Sequence, residues 1–286
     1  MIESTRGALR VRDRVLPWGA RTYVMGIVNV SPDSFSGDGD PDAAHAAAHA
    51  LRQLADGADL VDVGAESTRP GHQPIDERTE RGRLLPALAA TRAAAPHAIV
   101  SVDTFKPAVF RAAHAAGGDL LNSIWGASPE LIAACAEVGA PIVVMHNKAV
   151  AVYERDVVDE VLRFLDDAAT RCVAAGIPAE HVILDPGIGF GKLPEHNLAV
   201  LRALDRLVAL GYPTLIGTSR KSTIGKLTGR GVDAREFGTA ATVALAVAAG
   251  IDVVRVHDVP EQFDVVRVAD AIVRGWRPNG WVDNLP

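Results

Sequence analysis

One pattern recurs along this chain and limits its possible folds more than any other feature. A short apolar run rich in β-branched residues ends at a polar residue or glycine, and a segment with helical apolar spacing follows it. The eight runs are residues 22–30, 58–63, 98–102, 119–121, 141–145, 182–184, 213–216 and 251–256. Because parallel strands need helical crossovers, eight such units within 286 residues predict an α/β protein folded as a single (β/α)8 TIM barrel.

Composition supports this class and shows no break that would mark a second domain. Apolar residues make up 48% of the chain and aromatic residues only 5%, so the core must consist mainly of Ala, Val, Leu and Ile. We expect residues 1–286 to form one barrel domain, in which residues 1–21 are a short leader that covers the bottom. The apolar spacing also predicts one helix over residues 195–210.

The charge and the cysteines of the chain limit which partners the protein can bind and where in the cell it can be located. The net charge of −6 is spread without long like-charge runs, which leaves no electrostatic footprint for nucleic acid. No apolar run reaches the ~18 residues that a membrane span needs, and the N-terminus is too charged for a signal peptide. Cys135 and Cys172 lack a Cys-x-x-Cys spacing and are interpreted as reduced structural thiols. We expect a cytoplasmic protein with neither nucleic-acid nor membrane partners.

Polar side chains stand where the apolar runs give way to loops. They are Asn29, Asp103, Asn122, Asp185, Lys221, Arg255 and His257. The C-terminal ends of barrel strands converge on one face, and barrel enzymes carry their active sites there. The positions of these residues therefore predict one shared site.

The acidic and amide members of this set suit a ligand that donates several hydrogen bonds. Carboxylates such as Asp103 and Asp185 accept from adjacent N–H donors, as an amino-pyrimidine edge would offer, and Asn122 both donates and accepts. Helix capping, or a buried pair with Lys221, is the structural alternative for each aspartate.

Cationic residues in the last two strand–helix units predict an anion site. The segment 219–222 (SRKS), Arg255 and His257 place donors where barrels most often bind phosphate. Arg69, in another loop, is a candidate clamp for a carboxylate, with a solvated surface arginine as the alternative. His146 is either a catalytic residue or one that orients its loop.

Three loops have compositions that indicate function. Residues 31–41 and 64–75, which follow the first two strands, are rich in Gly, Pro, Ser and Asp, and this predicts mobile lids. Residues 185–192 (DPGIGFGK) hold three glycines within five positions, which indicates a close backbone approach. That spacing is too weak to indicate a dinucleotide site, and no Walker loop is present.

Six ordered motifs together resemble the dihydropteroate synthase family. They are residues 26–36 (GIVNVSPDSFS), 66–71 (ESTRPG), 101–104 (SVDT), 185–192 (DPGIGFGK), 219–222 (SRKS) and 255–259 (RVHDV). They extend from the first predicted strand to the eighth, so the resemblance covers nearly the whole chain. The chain departs from the family pattern where Ser123, rather than an aspartate, follows Asn122, and where the bulky Trp125 follows.

The resemblance implies a role for each matching residue. It implies a pterin pocket formed by Asp103, Asn122, Asp185 and Lys221, and a pyrophosphate site formed by Asn29, Arg255 and His257. It implies a cover over 4-aminobenzoate formed by Phe35, Thr68, Arg69 and Pro70, with Ser222 near the carboxylate of that substrate. It further implies Mg2+ as a cofactor, with Asn29 as its protein ligand, and a homodimer formed through outer helices.

The activity that the resemblance implies belongs to folate biosynthesis. Pyrophosphate leaves 6-hydroxymethyl-7,8-dihydropterin pyrophosphate, and 4-aminobenzoate replaces it through a pterin cation to give 7,8-dihydropteroate. The catalytic residues would be Asp103, Asp185, Lys221, Arg255 and His257. Two alternatives stay open. One is a non-catalytic pterin-binding paralogue that acts through a partner, and the other is a pterin-dependent methyltransferase, which has no evident use for segments 67–71 and 219–222.

Overall fold

The computed structural model describes residues 6–30, 43–66, 74–278 and 280–281. Its strands are β1 (Ala8–Val11), β2 (Arg14–Pro17), β3 (Tyr23–Asn29), β4 (Leu60–Gly64), β5 (Ile99–Asp103), β6 (Leu120–Ser123), β7 (Ile142–Met145), β8 (Val182–Asp185), β9 (Leu215–Ile216) and β10 (Val253–Val256). Its α-helices are α1 (Ala43–Ala55), α2 (Glu77–Ala94), α3 (Pro107–Ala115), α4 (Pro129–Val138), α5 (Val157–Ala174), α6 (Pro194–Arg202), α7 (Leu204–Val208), α8 (Ser222–Thr228), α9 (Glu236–Ala249) and α10 (Val259–Val273).

Strands β3 to β10 form one parallel sheet that curls into a nearly closed barrel. Their order is β8-β7-β6-β5-β4-β3-β10-β9. At the remaining seam, a bridge joins Leu184 to Thr214, and the Leu184 N–H donates to the Pro213 carbonyl at 2.8 Å. Because helices separate the consecutive strands, the predicted (β/α)8 barrel is confirmed.

The N-terminal strands β1 and β2 form an antiparallel hairpin that seals the bottom of the barrel. Trp18, which follows β2, is fully buried and belongs to an apolar cluster with barrel residues such as Met25 and Leu120. Its indole N–H donates to the Glu180 carbonyl at 2.9 Å. Arg6 holds the start of the hairpin through a salt bridge of 2.7 Å to the buried Asp252. The predicted leader therefore completes the lower core of the barrel.

The layer between the strands and the outer helices is packed mainly with Ala, Val, Leu and Ile, as the composition predicts. The prediction of one helix over residues 195–210 is wrong, because the helix is interrupted at Ala203. That residue has φ −113° and ψ 24°, and its N–H bonds to the Val200 carbonyl. Leu204 and Leu207 of α7 are buried in this layer.

The predicted lids fall largely outside the described residues, because 31–42 and 67–73 are not among them. Across the described ranges, no helix is both long enough and apolar enough to cross a membrane.

Candidate active site

The C-terminal strand ends place three of the predicted site residues at one level of the barrel. Asn29 is in register with Gly64, Gly64 with Asp103, and Asp103 with Asn122. Partners in register project from the same face of a sheet, so these side chains share one face. Gly64 leaves room for its neighbour, since a Cβ there would lie 3.1 Å from the Asp103 Cβ.

A cluster of polar side chains crosses the barrel interior at this level and just below it. Arg255 Nε donates to Asp62 Oδ2 at 2.7 Å, and Arg255 Nη2 donates to Asp103 Oδ2 at 3.3 Å. Asn122 Nδ2 also donates to Asp62 Oδ2, at 2.8 Å. We call these four residues, Asp62, Asp103, Asn122 and Arg255, the acceptor cluster. They come from β4, β5, β6 and β10, so their contacts span the barrel.

The acceptor cluster contains more buried acceptors than its own donors satisfy. Asp62 Oδ1, Asp103 Oδ1 and Asn122 Oδ1 are buried and have no hydrogen-bond partner among the described residues. Unpaired buried acceptors are costly, because each has lost its hydrogen bonds to water. A ligand that supplies several N–H donors would satisfy such acceptors.

The charges of the cluster are unbalanced as well. Burial, together with the nearby Asp62 carboxylate, raises the pKa of Asp103 to about 8. Burial disfavours the Arg255 guanidinium, but the carboxylates of Asp62 and Asp103 raise its pKa. One guanidinium thus stands between two buried carboxyl groups, and burial favours the neutral form of Asp103.

Asp62 belongs to the acceptor cluster, but the sequence analysis missed it. It lies within the apolar run 58–63 and is fully buried. Burying an acidic residue inside an apolar strand costs free energy unless the residue is paired. Its position within the apolar run was therefore the clue in the sequence.

The end of β8 forms a second part of the site. The Gly187 N–H donates to Asp185 Oδ1 at 2.7 Å, and burial raises the pKa of Asp185 to about 6. Gly187 has φ 69°, and a Cβ there would lie 1.9 Å from the His146 carbonyl oxygen. The predicted close backbone approach is therefore confirmed, and it is an approach to β7.

Neither Asp103 nor Asp185 caps a helix, which was the structural alternative for these residues. The residue at the N-cap of α3 is Lys106, and the residue at the N-cap of α6 is Leu193. Lys221 Nζ lies 3.9 Å from the centroid of the Phe190 ring, which places this cation beside the loop that follows Asp185.

The side chains of the segment 219–222 have different partners. Ser219 Oγ lies 2.9 Å from Nδ1 of His257, so these two donors of the predicted anion site are together. Arg220 instead pairs with Asp258 at 3.1 and 2.5 Å. Ser222 begins α8 and is exposed.

A buried ionic network supports the start of the second predicted lid, and the sequence analysis did not find it. Lys106 Nζ pairs with Glu66 and, at 2.6 Å, with Glu80. Thr104 Oγ1 also donates to Glu80, at 2.6 Å. Phe35, Thr68, Arg69 and Pro70 lie outside the described residues, so their predicted contacts with 4-aminobenzoate are not tested.

Comparisons with known proteins show the family to which this chain belongs. Residues 25–257 match the family model described as pterin binding enzyme. The dihydropteroate synthase of Bacillus subtilis (strain 168) is 39% identical over 270 residues, which cover 93% of each chain. The Xanthomonas albilineans dihydropteroate synthase with 4-aminobenzoic acid has a TM-score of 0.87 at 42% identity, covering 94% of this chain and 98% of that one. The Thermus thermophilus enzyme in complex with 6HMPPP has a TM-score of 0.81 at 43% identity, covering 93% and 99%.

The barrel, the acceptor cluster and the family match define the class: this chain belongs to the pterin binding enzymes. Its sequence identity of about 40% over nearly the whole length of its relatives identifies the family within this class. Within the class it belongs to the dihydropteroate synthases, which are transferases.

Proposed function

We propose that this chain condenses 6-hydroxymethyl-7,8-dihydropterin pyrophosphate with 4-aminobenzoate to form 7,8-dihydropteroate and pyrophosphate. The observation that carries the proposal is the pair of unpartnered buried acceptors, Asp103 Oδ1 and Asn122 Oδ1, in the acceptor cluster. An amino-pyrimidine ring presents several N–H donors along one edge, which is what buried carboxylate and amide oxygens need. The complexes of relatives with 4-aminobenzoic acid and 6HMPPP support the same assignment.

In this proposal, Asp103, Asn122, Asp185 and Lys221 bind the pterin. Asp103 and Asn122 offer acceptors from one side of the barrel, and Asp185 offers them from the end of β8. Lys221 stands beside Phe190, and this aromatic ring forms an apolar wall for the flat pterin. Asp62 touches no ligand here and acts by orienting Arg255 and Asn122.

The reaction proceeds by departure of pyrophosphate followed by capture of the pterin cation. The carbon–oxygen bond breaks, and its electron pair leaves with pyrophosphate. The arylamine nitrogen of 4-aminobenzoate then forms the carbon–nitrogen bond and releases a proton to water. Arg255 and His257 stabilise the developing anion. The positive charge and N–H donors of the pterin favour the ionised forms of Asp103 and Asp185, and these carboxylates in turn stabilise the cation. No protein nucleophile is required.

Asn29 is the proposed protein ligand of Mg2+. The described residues contain no group of three or more His, Cys, Asp or Glu side chains that would cage a metal ion. Mg2+ does not need one, since it usually keeps several waters and binds one or two protein oxygens together with substrate phosphates. The half-buried amide of Asn29, at the tip of β3, fits that mode. When bound, the ion neutralises charge on pyrophosphate.

The remaining proposed contacts involve 4-aminobenzoate. Arg69 binds its carboxylate, with Ser222 nearby, and Phe35, Thr68 and Pro70 cover the ring. The exposure of Ser222 at the start of α8 leaves it accessible to a substrate.

We also propose a homodimer formed through α9 and α10. Large apolar side chains protrude from these neighbouring helices, with Phe237 86%, Leu245 68%, Val268 61% and Ile272 78% exposed. Exposed apolar side chains grouped in this way are typical of protein interfaces. Sedimentation should show a dimer that Phe237→Asp together with Ile272→Asp converts to a monomer, and a wild-type monomer would refute the proposal.

A cytoplasmic location is proposed from the thiols. Cys135 and Cys172 are both buried and free, and burial raises the pKa of each. Free thiols are usual in reducing compartments. Fractionation of cells that express the protein tests this location.

The function is tested by pyrophosphate release from the pterin substrate with Mg2+, with and without 4-aminobenzoate. We expect release to depend on 4-aminobenzoate and to yield dihydropteroate. Pterin binding with no release would instead support the non-catalytic paralogue, and transfer of a methyl group would support the methyltransferase.

A further inference from the structure

Lys192 joins the loop that follows β8 to His146, the residue that follows β7. Its ammonium Nζ lies 3.0 Å from the Gly187 carbonyl oxygen and 3.1 Å from the Phe190 carbonyl oxygen. It also lies 2.9 Å from Nδ1 of His146, the residue that follows β7. One cation thus contacts both ends of the segment 187–190, which we call the glycine loop, and the neighbouring strand.

The backbones that Lys192 joins approach each other too closely for side chains. A Cβ at Gly187 would lie 1.9 Å from the His146 carbonyl oxygen, and one at Gly191 would lie 2.3 Å from the Lys148 carbonyl oxygen. Tyr153 adds a further link, since its hydroxyl donates to the Gly191 carbonyl at 2.8 Å. Several carbonyl dipoles therefore point into one small region, and an ammonium group with three donors is suited to satisfy them.

His146 is held as a neutral acceptor for this ammonium. Its ring is buried between Tyr153 and Phe164, with ring centroids 6.2 and 5.1 Å away. An ammonium group can only donate, so His146 Nδ1 accepts and the ring proton resides on Nε2. Burial, reinforced by the charges of Lys192 and Lys148, lowers the pKa of His146 to about 3. The loop-orienting role of His146 is thereby favoured over a catalytic one.

The opposite side of the glycine loop forms the wall of the proposed pterin pocket. The Gly187 N–H donates to Asp185 Oδ1 at 2.7 Å. The Phe190 ring lies against the Lys221 ammonium, and a Cβ at Gly189 would lie 3.0 Å from Lys221 Cδ. Any shift of the loop would therefore displace Asp185, Phe190 and Lys221 together.

We propose that Lys192 is a positioning residue for pterin binding. Its ammonium links the carbonyl groups of Gly187 and Phe190 to the ring of His146. It thereby fixes the glycine loop and, through the loop, the pterin-facing groups Asp185, Phe190 and Lys221. It does not touch the substrate. The inference rests on the proposed pterin site.

The test compares Lys192→Met with Lys226→Met, which removes the same charge from the exposed surface of α8. Burial lowers the pKa of Lys192 to about 7, so the assays are run at about pH 6, where the ammonium form dominates. We expect Lys192→Met to raise KM for the pterin substrate about tenfold or more, the effect of a charged hydrogen bond. KM for 4-aminobenzoate should stay within about twofold of the wild-type value, and Lys226→Met should change neither constant.

An unchanged pterin KM, or an equal rise in both KM values, would overturn the inference. If Lys192→Met does not fold, Lys192→Gln replaces it, because the amide keeps N–H donors without the charge. This variant should give a smaller rise in pterin KM, and no rise would again overturn the inference.

A measurement without substrate separates this inference from the proposed function. The 15N spectrum of labelled wild-type protein should show His146 with Nδ1 unprotonated and Nε2 protonated, and the Nδ1 shift should move in the lysine variant. The His146 signals are assigned by their loss in His146→Gln. A protonated Nδ1, or a shift that Lys192 does not affect, overturns the inference whether or not the protein is active. A wild-type protein that shows the expected spectrum but binds no pterin refutes the proposed function instead.

Discussion

Asp62 Oδ2 accepts a hydrogen bond from Nε of Arg255 at 2.7 Å, although the two residues are 193 positions apart in the chain. Asp62 is fully buried, whereas the Arg255 side chain is 21% exposed. The pair therefore fixes a cationic side chain that remains partly accessible. The same Asp62 oxygen holds Asn122, so one carboxylate orients two groups of the proposed site.

Removing the charge of Asp62 should weaken pterin binding. Asp62→Asn keeps the shape of the side chain but deprives Arg255 of its nearest ionic partner. We expect KM for the pterin substrate to rise about tenfold, as for loss of a charged hydrogen bond, with KM for 4-aminobenzoate unchanged. The exposed Asp56→Asn is the matched control. A pterin KM equal to that of the wild type would refute the orienting role.

Asp103 should make the protein less stable as pH rises. Its folded-state pKa is raised from 3.8 to about 8, so between these values the folded state holds a proton that the unfolded state has released. Stability associated with this group is complete below about pH 4 and declines as pH rises towards 8, by at most ~1.4 kcal/mol per pH unit.

Asp103→Asn removes this titration, so its advantage in free energy of unfolding over the wild type should grow between about pH 5 and pH 8. Urea unfolding at several pH values measures that difference. A difference independent of pH would show that Asp103 ionises normally in the folded protein.

Arg69 should serve one substrate only. If its guanidinium clamps the carboxylate of 4-aminobenzoate, Arg69→Ala should raise KM for that substrate strongly and leave the affinity for the pterin substrate nearly unchanged. Steady-state kinetics and calorimetry measure the two effects. The exposed Arg78→Ala, on α2, is the control. Equal losses for both substrates would contradict this division.

The N-terminal hairpin should contribute stability rather than chemistry. Trp18→Ala removes a fully buried indole, and such truncations cost about 3–5 kcal/mol of unfolding free energy. Val15→Ala, on the same hairpin but 48% exposed, should cost less than about 0.5 kcal/mol. Both enzymes should retain wild-type KM values below their unfolding midpoints, and a changed pterin KM in either would show that the hairpin influences the site.

Strand and helix periodicities predicted the barrel, because each parallel strand is buried on both faces and each crossover helix has apolar spacing. Polar residues at strand ends likewise indicated Asp103, Asn122 and Asp185. Asp62 was missed because its role depends on contact with Arg255, and only closure of the barrel brings these two residues together. The pairing of Lys106 with Glu66 and Glu80 depends in the same way on contacts between separate loops. The hairpin escaped prediction because its short strands alternate with charged residues.

The most direct test of the account is calorimetric binding of the pterin substrate to the wild type, Asp103→Asn and Asp185→Asn. The exposed Asp166→Asn, on α5, serves as the control. If the buried carboxylates accept hydrogen bonds from the pterin, the wild type and the control should bind equally well. Each pocket variant should then bind about tenfold or more weakly while remaining folded. Equal affinity across all four proteins would contradict the assignment of this pocket to the pterin.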